Sequence, residues 1–264
     1  MKKVNQLSRD FTLDKYRELC TALIECGYSP LTVCDYLERR HTRDSPLNNI
    51  AIIRHDIDRK IRNALCIAEL EHTLDIQSSF YFRYPDTFKP EIVQKIRDLG
   101  HEIGYHYEAF VKAKGDPVKA IHIFEMELCS MREIFDIKTI CMHGNPMSRY
   151  DNRDLWQHYD FKDFKILGEA YLSFQGADIQ YLTDTGRNWN GMNSLRDNMP
   201  GTRSNSQPVQ TTDNLIDWIK NHKKTSLYLT VHPERWTNHN GEWVINYTLD
   251  HMVNCGKKIL MMVR

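Results

Sequence analysis

The chain has 264 residues, 41% hydrophobic and 27% charged, with 35 Lys plus Arg against 35 Asp plus Glu. That length accommodates one α/β barrel or two small domains, and the balanced charge gives no global pull toward nucleic acid or an acidic membrane. No apolar run nears the ~18 residues of a membrane span, and no apolar signal core follows Met1-Lys-Lys-Val, so a cytoplasmic protein is expected.

Residues 1–49 read as a helical N-terminal segment. Phe11–Tyr28 carries Tyr16, Leu19, Cys20, Leu23 and Ile24 at helical spacing, with Asp14 as the N-cap and Gly27 as the stop. A shorter helical pattern covers Pro30–Arg40, and His41–Asn49 is a polar loop. From Ile50 onward strands and helices alternate. The strands are Ile50–Arg54, Ser78–Phe82, His101–His106, Thr139–His143, Phe164–Tyr171, Gln180–Thr183 and Leu227–Val231. Helices fall over Lys60–His72, from Pro90 to Gly100, over Pro117–Phe135, and after a cap at Thr212. Asn188–Pro208 is a polar loop of a length usually reserved for function, such as covering a site. Beyond Glu242, Trp243–Tyr247 and Ile259–Val263 are apolar, and Gly256-Lys257-Lys258 reads as a turn. Repeated alternation calls for parallel strands, and about seven units suit a barrel better than an open sheet.

The seven cysteines (Cys20, Cys26, Cys34, Cys66, Cys129, Cys141 and Cys255) are odd in number and contain no Cys-x-x-Cys pair, which reads as reduced thiols. In parallel barrels chemistry sits at the C-terminal strand ends. Polar residues gather there: Asp56 and Asp58, Arg83, His106 and Glu108, His143, Asp184 and His232. Side chains two apart on a strand share a face, so Asp56 pairs with Asp58, His106 with Glu108, and Tyr105 with Tyr107. Carboxylate plus imidazole suits a divalent cation such as zinc, and an open position would make that cation catalytic. His55 and His101 are out of phase with these residues and read as structural.

Three segments resemble, in order, motifs of the polysaccharide deacetylase family, the NodB-type carbohydrate esterases. They are Arg54-His55-Asp56-Ile57-Asp58, Gly100-His-Glu-Ile-Gly-Tyr-His106 and Leu229-Thr-Val-His232-Pro233. The resemblance implies a distorted (β/α)7-type barrel with parallel strands, as a single domain over 1–264 with its motif-bearing core at 50–236. It also implies Asp56 as general base, Asp58 and His106 as metal ligands, and His232 as general acid. Two departures stand out. The family has a further His four residues after the second motif, where this chain has Phe110. Its third motif carries Arg and Pro on the fourth strand, where this chain reads Met142-His143-Gly144-Asn145-Pro146. His143 is the expected replacement ligand, with Glu108 as the alternative; Glu108 otherwise holds His106 or a nearby Arg.

The expected activity is metal-dependent removal of acetyl from an N-acetylated sugar or polysaccharide precursor, in polysaccharide biosynthesis, with zinc as the cofactor. Asp184 would orient His232 or bind substrate, against an ordinary turn Asp. Arg83 would bind an anionic or carbonyl group, against a surface ion pair. Tyr107, Trp189 and Trp236 would stack on a sugar face, against core packing. Alternatives are a hydrolase of the same fold acting on another non-peptide C–N bond, such as a cyclic amide, and a carbohydrate-binding barrel without turnover. A purely structural protein would leave the polar strand ends unexplained.

Overall fold

In the computed structural model every strand pair runs parallel, so each crossover must carry a helix or a long connection. The structure describes residues 9–42, 49–189, 191, 196, 197, 199, 209–222 and 225–263. The strands are β1 (Ser29–Leu31), β2 (Ile50–Ile57), β3 (Ser79–Phe82), β4 (Glu102–Tyr107), β5 (Thr139–Met142), β6 (Gly168–Glu169), β7 (Gln180–Thr183) and β8 (Leu227–Val231). The helices are α1 (Leu13–Glu25), α2 (Val33–Thr42), α3 (Ile61–His72), α4 (Pro90–Asp98), α5 (Ala109–Lys112), α6 (Pro117–Arg132), α7 (Thr212–Asn221) and α8 (Asn240–Val263). Across the sheet the order is β6-β5-β4-β3-β2-β8-β7, with β1 added to the first residues of β2. This is a distorted (β/α)7-type barrel, and its end strands, β6 and β7, do not pair among the described residues.

β2 is central, and all eight of its residues are buried. A strand covered on both faces reads as a continuous apolar run, which is why Ile50–Ile53 is legible as a strand. The strand also continues three residues beyond the expected Arg54. Its alternation separates two polar systems. Arg54 and Asp56 point into the barrel, whereas His55 points outward beneath α1 and α3. There His55 Nε2 lies 2.9 Å from Glu71 Oε1. The Tyr16 hydroxyl donates to the same oxygen at 2.5 Å, and Ser78 Oγ donates to Oε2 at 2.6 Å. His101 joins from β4's side, with Nε2 3.1 Å from the Ala68 carbonyl. His55 and His101 are therefore structural, as their phase indicates.

Gly104 in β4 is required by packing. An added Cβ would come 2.3 Å from the ring of Tyr81, whose hydroxyl pairs with Thr139 Oγ1 on β5. No helix among the described residues is long and apolar enough to cross a membrane.

Several element boundaries differ from the sequence reading. Thr12, not Asp14, caps α1, accepting from the Lys15 backbone N–H. The expected Phe164–Tyr171 strand contracts to the two residues of β6, because Phe161–Phe164 and Leu172–Phe174 form 3-10 turns around it. α7 is capped by Thr211 in a reciprocal box with Asn214. The expected turn at Gly256-Lys257-Lys258 is absent: α8 runs unbroken from Asn240 to Val263. Much of the Asn188–Pro208 loop lies outside the described residues.

Glu71 is a buried carboxylate that binds four elements together. Burial alone would raise its pKa, but His55, His101 and Ser78 hold it below its ordinary value. Removing one partner of a buried charged network costs about 3–5 kcal/mol. Glu71→Ala is expected to lose that much unfolding free energy in a urea titration. Because the folded pKa is depressed, the wild-type contribution is complete above the unfolded value near 4.5 and is lost as pH falls through the lower folded value.

Candidate metal centre

Strand order determines which residues meet. Read across the sheet, the C-terminal ends present His143 after β5, His106 in β4, Arg83 after β3, Asp56 and Asp58 at β2, His232 after β8 and Asp184 after β7. The central strand thus carries its two aspartates between a pair of imidazoles on one side and His232 on the other. They line a cleft of about 320 Å³ that also includes Arg83, Glu108 and Glu234.

Asp58 Oδ1 lies 3.3 Å from His106 Nε2 and 3.5 Å from His143 Nε2. This oxygen is buried and has no hydrogen bond among the described residues. His106 Nδ1 sits 3.0 Å from the Cys141 carbonyl, an acceptor, so it must carry the ring proton and leave the Nε2 lone pair toward Asp58. His143 Nδ1 lies 3.2 Å from Glu108 Oε1, an ion-pair separation without hydrogen-bond geometry. Three electron-rich atoms converging in this manner fit a cation. Donors bound to zinc at ~2.0–2.1 Å in a tetrahedron stand about 3.3 Å apart, close to the 3.3 and 3.5 Å between Asp58 Oδ1 and each imidazole nitrogen.

The imidazoles also supply positive charge of their own: burial would lower the pKa of His143, but Asp58 and Glu108 raise it. Burial would raise the pKa of Asp58, but His143, His106 and His232 hold it well below the carboxylate range. Burial likewise opposes ionisation of Glu108, yet His143 and Arg83 bring it down to about 2.

Asp56 faces the same cleft and is 2% exposed. Its Oδ2 accepts from Arg54 Nη2 at 3.0 Å. Arg54 is fully buried, donates to the Tyr171 hydroxyl at 2.6 Å and to that of Tyr228 at 3.3 Å, and stacks on the Tyr171 ring at 4.2 Å. Cys141 Sγ lies 3.6 Å from Asp56 Oδ1. Among the described residues, Asp56, His106 and Cys141 form the one group of three donors whose ligand atoms all lie within 4.8 Å of one another. It offers poorer donors than the Asp58 set: Asp56 is engaged by Arg54, and burial pushes the Cys141 thiol well up, keeping it protonated.

His232 is held from behind. Its Nδ1 lies 2.6 Å from Asp184 Oδ1, and its backbone N–H donates to Asp184 Oδ2 at 2.9 Å. Asp184 also accepts from Arg235 at 2.8 Å and from Trp236 Nε1 at 2.9 Å. Burial and Arg235 work against a charged imidazole, but Asp184 prevails, and His232 is pushed up to about 9. Burial would raise Asp184 in turn, and Arg235 with His232 keep it low.

The structure thus brings together Asp56, Asp58, His106, His143, His232 and Asp184. It does not place the three predicted stacking aromatics on the cleft. Tyr107 lies on the outer face of β4 against Phe124 and Trp156, Trp189 donates to Thr212 in the core, and Trp236 braces Asp184; all three are 0% exposed. Arg83 borders the cleft, but its guanidinium is paired with Glu108 at 2.8 Å and Asp86 at 3.1 Å. Glu108 holds Arg83 and His143 instead of His106. Phe110 packs against Tyr150, on α5. Sequence reasoning passed over Arg54, Cys141, Glu234 and Arg235. Period two offered a signal for Arg54, in phase with Asp56, and for Cys141, in phase with His143.

No family model and no curated protein matches this sequence. Among solved structures, the chain is similar to a family 4 carbohydrate esterase from Bacillus anthracis, at 10% identity and TM-score 0.37, over 77% of this chain and 74% of that one. It is also similar to the Streptococcus pyogenes deacetylase PplD in complex with acetate, at 11% identity and TM-score 0.43, over 77% and 85% of the two chains. A mutant of BA3943, a CE4 family pseudoenzyme, matches at 12% identity and TM-score 0.38, over 73% and 70%. At these scores the chemistry of the site has to be judged on its own residues.

Mildly purified protein is expected to carry about one divalent ion per chain. Elemental analysis should show that ion lost in Asp58→Ala and in His106→Ala, weakened in His143→Ala, and kept in Cys141→Ser.

Proposed function

We propose that this protein is a metal-dependent hydrolase that removes acetyl from an N-acetylated sugar or polysaccharide precursor. The observation that carries this reading is the unpartnered Asp58 oxygen within 3.5 Å of two imidazole nitrogens, in a cleft that Asp56 and His232 also line.

Asp58, His106 and His143 would hold the cation, with zinc best suited to a carboxylate and two imidazoles. When bound there it supplies Lewis acidity, drawing the pKa of water toward about 7 and polarising the acyl carbonyl. Asp56, anchored by Arg54, accepts the proton of the attacking water. Arg54 orients that carboxylate without itself facing the cleft. His232, charged through its contact with Asp184, gives a proton to the departing nitrogen. Asp184 fixes the ring so that Nε2 is the atom available for that transfer. Glu108 holds His143 from behind, and Arg83 pairs with Glu108 in turn.

Acetate release from N-acetylated sugars tests the reading. Asp56→Asn is expected to lower kcat about 10²–10⁴-fold while the metal is retained. No acetate release from any N-acetyl sugar by metal-loaded protein, together with no effect of Asp56→Asn on any turnover, would refute it.

The pH profile provides a second check. The competent acid is the imidazolium of His232, present below its raised pKa of about 9 and lost above it. Asp58 helps hold that value up, so a cation at Asp58 draws it down, and the alkaline limb should fall at or below pH 9. Asp184→Asn should move this limb lower still and reduce kcat, whereas His232→Gln should abolish the limb.

A further inference from the structure

Glu234 has no part in the chemistry derived above. It occupies the 3-10 turn Pro233–Arg235, two residues past His232, and lines the same cleft as Asp58 and His232. Its side chain is only 3% exposed, yet Oε2 has no hydrogen bond among the described residues. The other oxygen lies 3.6 Å from Arg59 Nη2, beyond hydrogen-bond range, and the Arg59 side chain is 53% exposed.

The backbone that carries this carboxyl group is nonetheless firmly placed. The Glu234 carbonyl accepts from Asn246 Nδ2 of α8 at 2.6 Å, and the neighbouring Arg235 is anchored on Asp184 at 2.8 Å. Leaving a buried carboxylate oxygen without a donor is costly, and the cost is relieved when a ligand brings one. The fixed backbone and the free oxygen together describe an acceptor set in advance for something that enters the cleft.

We propose that Glu234 is a substrate-positioning residue whose Oε2 accepts a hydrogen bond from a donor on the sugar, a hydroxyl or a protonated amine, adjacent to the acyl group being removed. The proposal rests on the deacetylase reading of the cleft.

Kinetics of the metal-loaded wild type, Glu234→Gln and Glu234→Leu on N-acetyl sugars and single deoxy analogues test it. A charge-assisted hydrogen bond corresponds to ~10–100-fold in binding. Glu234→Leu should lose about that factor, falling on KM more than on kcat, with the metal kept. One deoxy analogue should lose the same factor with wild type and nothing more with Glu234→Leu. If the donor is an amine, the factor disappears above the amine's own pKa; if it is a hydroxyl, it does not. Loss of the metal in Glu234→Gln, or deoxy effects equal in wild type and both variants, overturns the proposal. If wild type releases no acetate, calorimetry with the same sugars separates the two ideas. Weaker binding by Glu234→Gln supports Glu234's role while the deacetylase reading fails; equal binding, or none to any form, overturns the proposal.

Discussion

A single guanidinium buried in the barrel sets the terms for the site above it. Barrel interiors are usually filled with branched aliphatic side chains. Here Arg54 occupies that space, fully shielded from solvent, with Asp56 as its counter-charge and Tyr171 and Tyr228 around it. Burial would lower the pKa of Arg54, but the Asp56 charge outweighs it, and the guanidinium remains a cation. A buried cation of this kind needs an anion in a fixed place. The arrangement therefore orients Asp56 whether or not a substrate is present.

Topology does the remaining work. Asp58 and His106 are separated by β3 in the sheet, and His143 by one strand more, yet the curvature of the sheet brings their polar atoms within 3.5 Å of one Asp58 oxygen. β8 enters between β2 and β7, so the chain's late strand delivers His232 beside Asp56 and Asp58, and β7 supplies Asp184 directly behind it. Residues from opposite ends of the chain meet because the strand order is not the sequence order.

Much of this was legible in the sequence because it follows period two. Asp56 and Asp58 share a face, His106 lies on the inner face of its strand, and the tyrosines that alternate with it lie outside. His55 and His101 were excluded by the same rule and do sit in the outer network. Other features were hidden because they depend on depth, which periodicity does not encode. Trp189 and Trp236 follow strand ends and look available to a sugar, but both rings are enclosed. Glu234 and Arg235 lie just beyond β8 in a turn buried among α3, β2 and the last helix. The continuity of α8 was missed because Gly256 and two lysines resemble a turn, although nothing lies within 4 Å of a Cβ built at Gly256 and the helix passes through it.

α8 is not a passive tail. Trp243 and Tyr247 stack with Phe11 around the Arg187 guanidinium, and Asp250 binds Arg187 Nε at 2.8 Å while standing 3.8 Å from Arg235 Nε. The same helix contributes Asp250 and Val253 to the wall of the cleft. Shortening the protein to its motif-bearing strands would leave two arginines without their shared anion and open one side of the cleft to bulk water. A protein trimmed in that way would keep every recognisable motif and yet lack the enclosure within which those motifs are arranged.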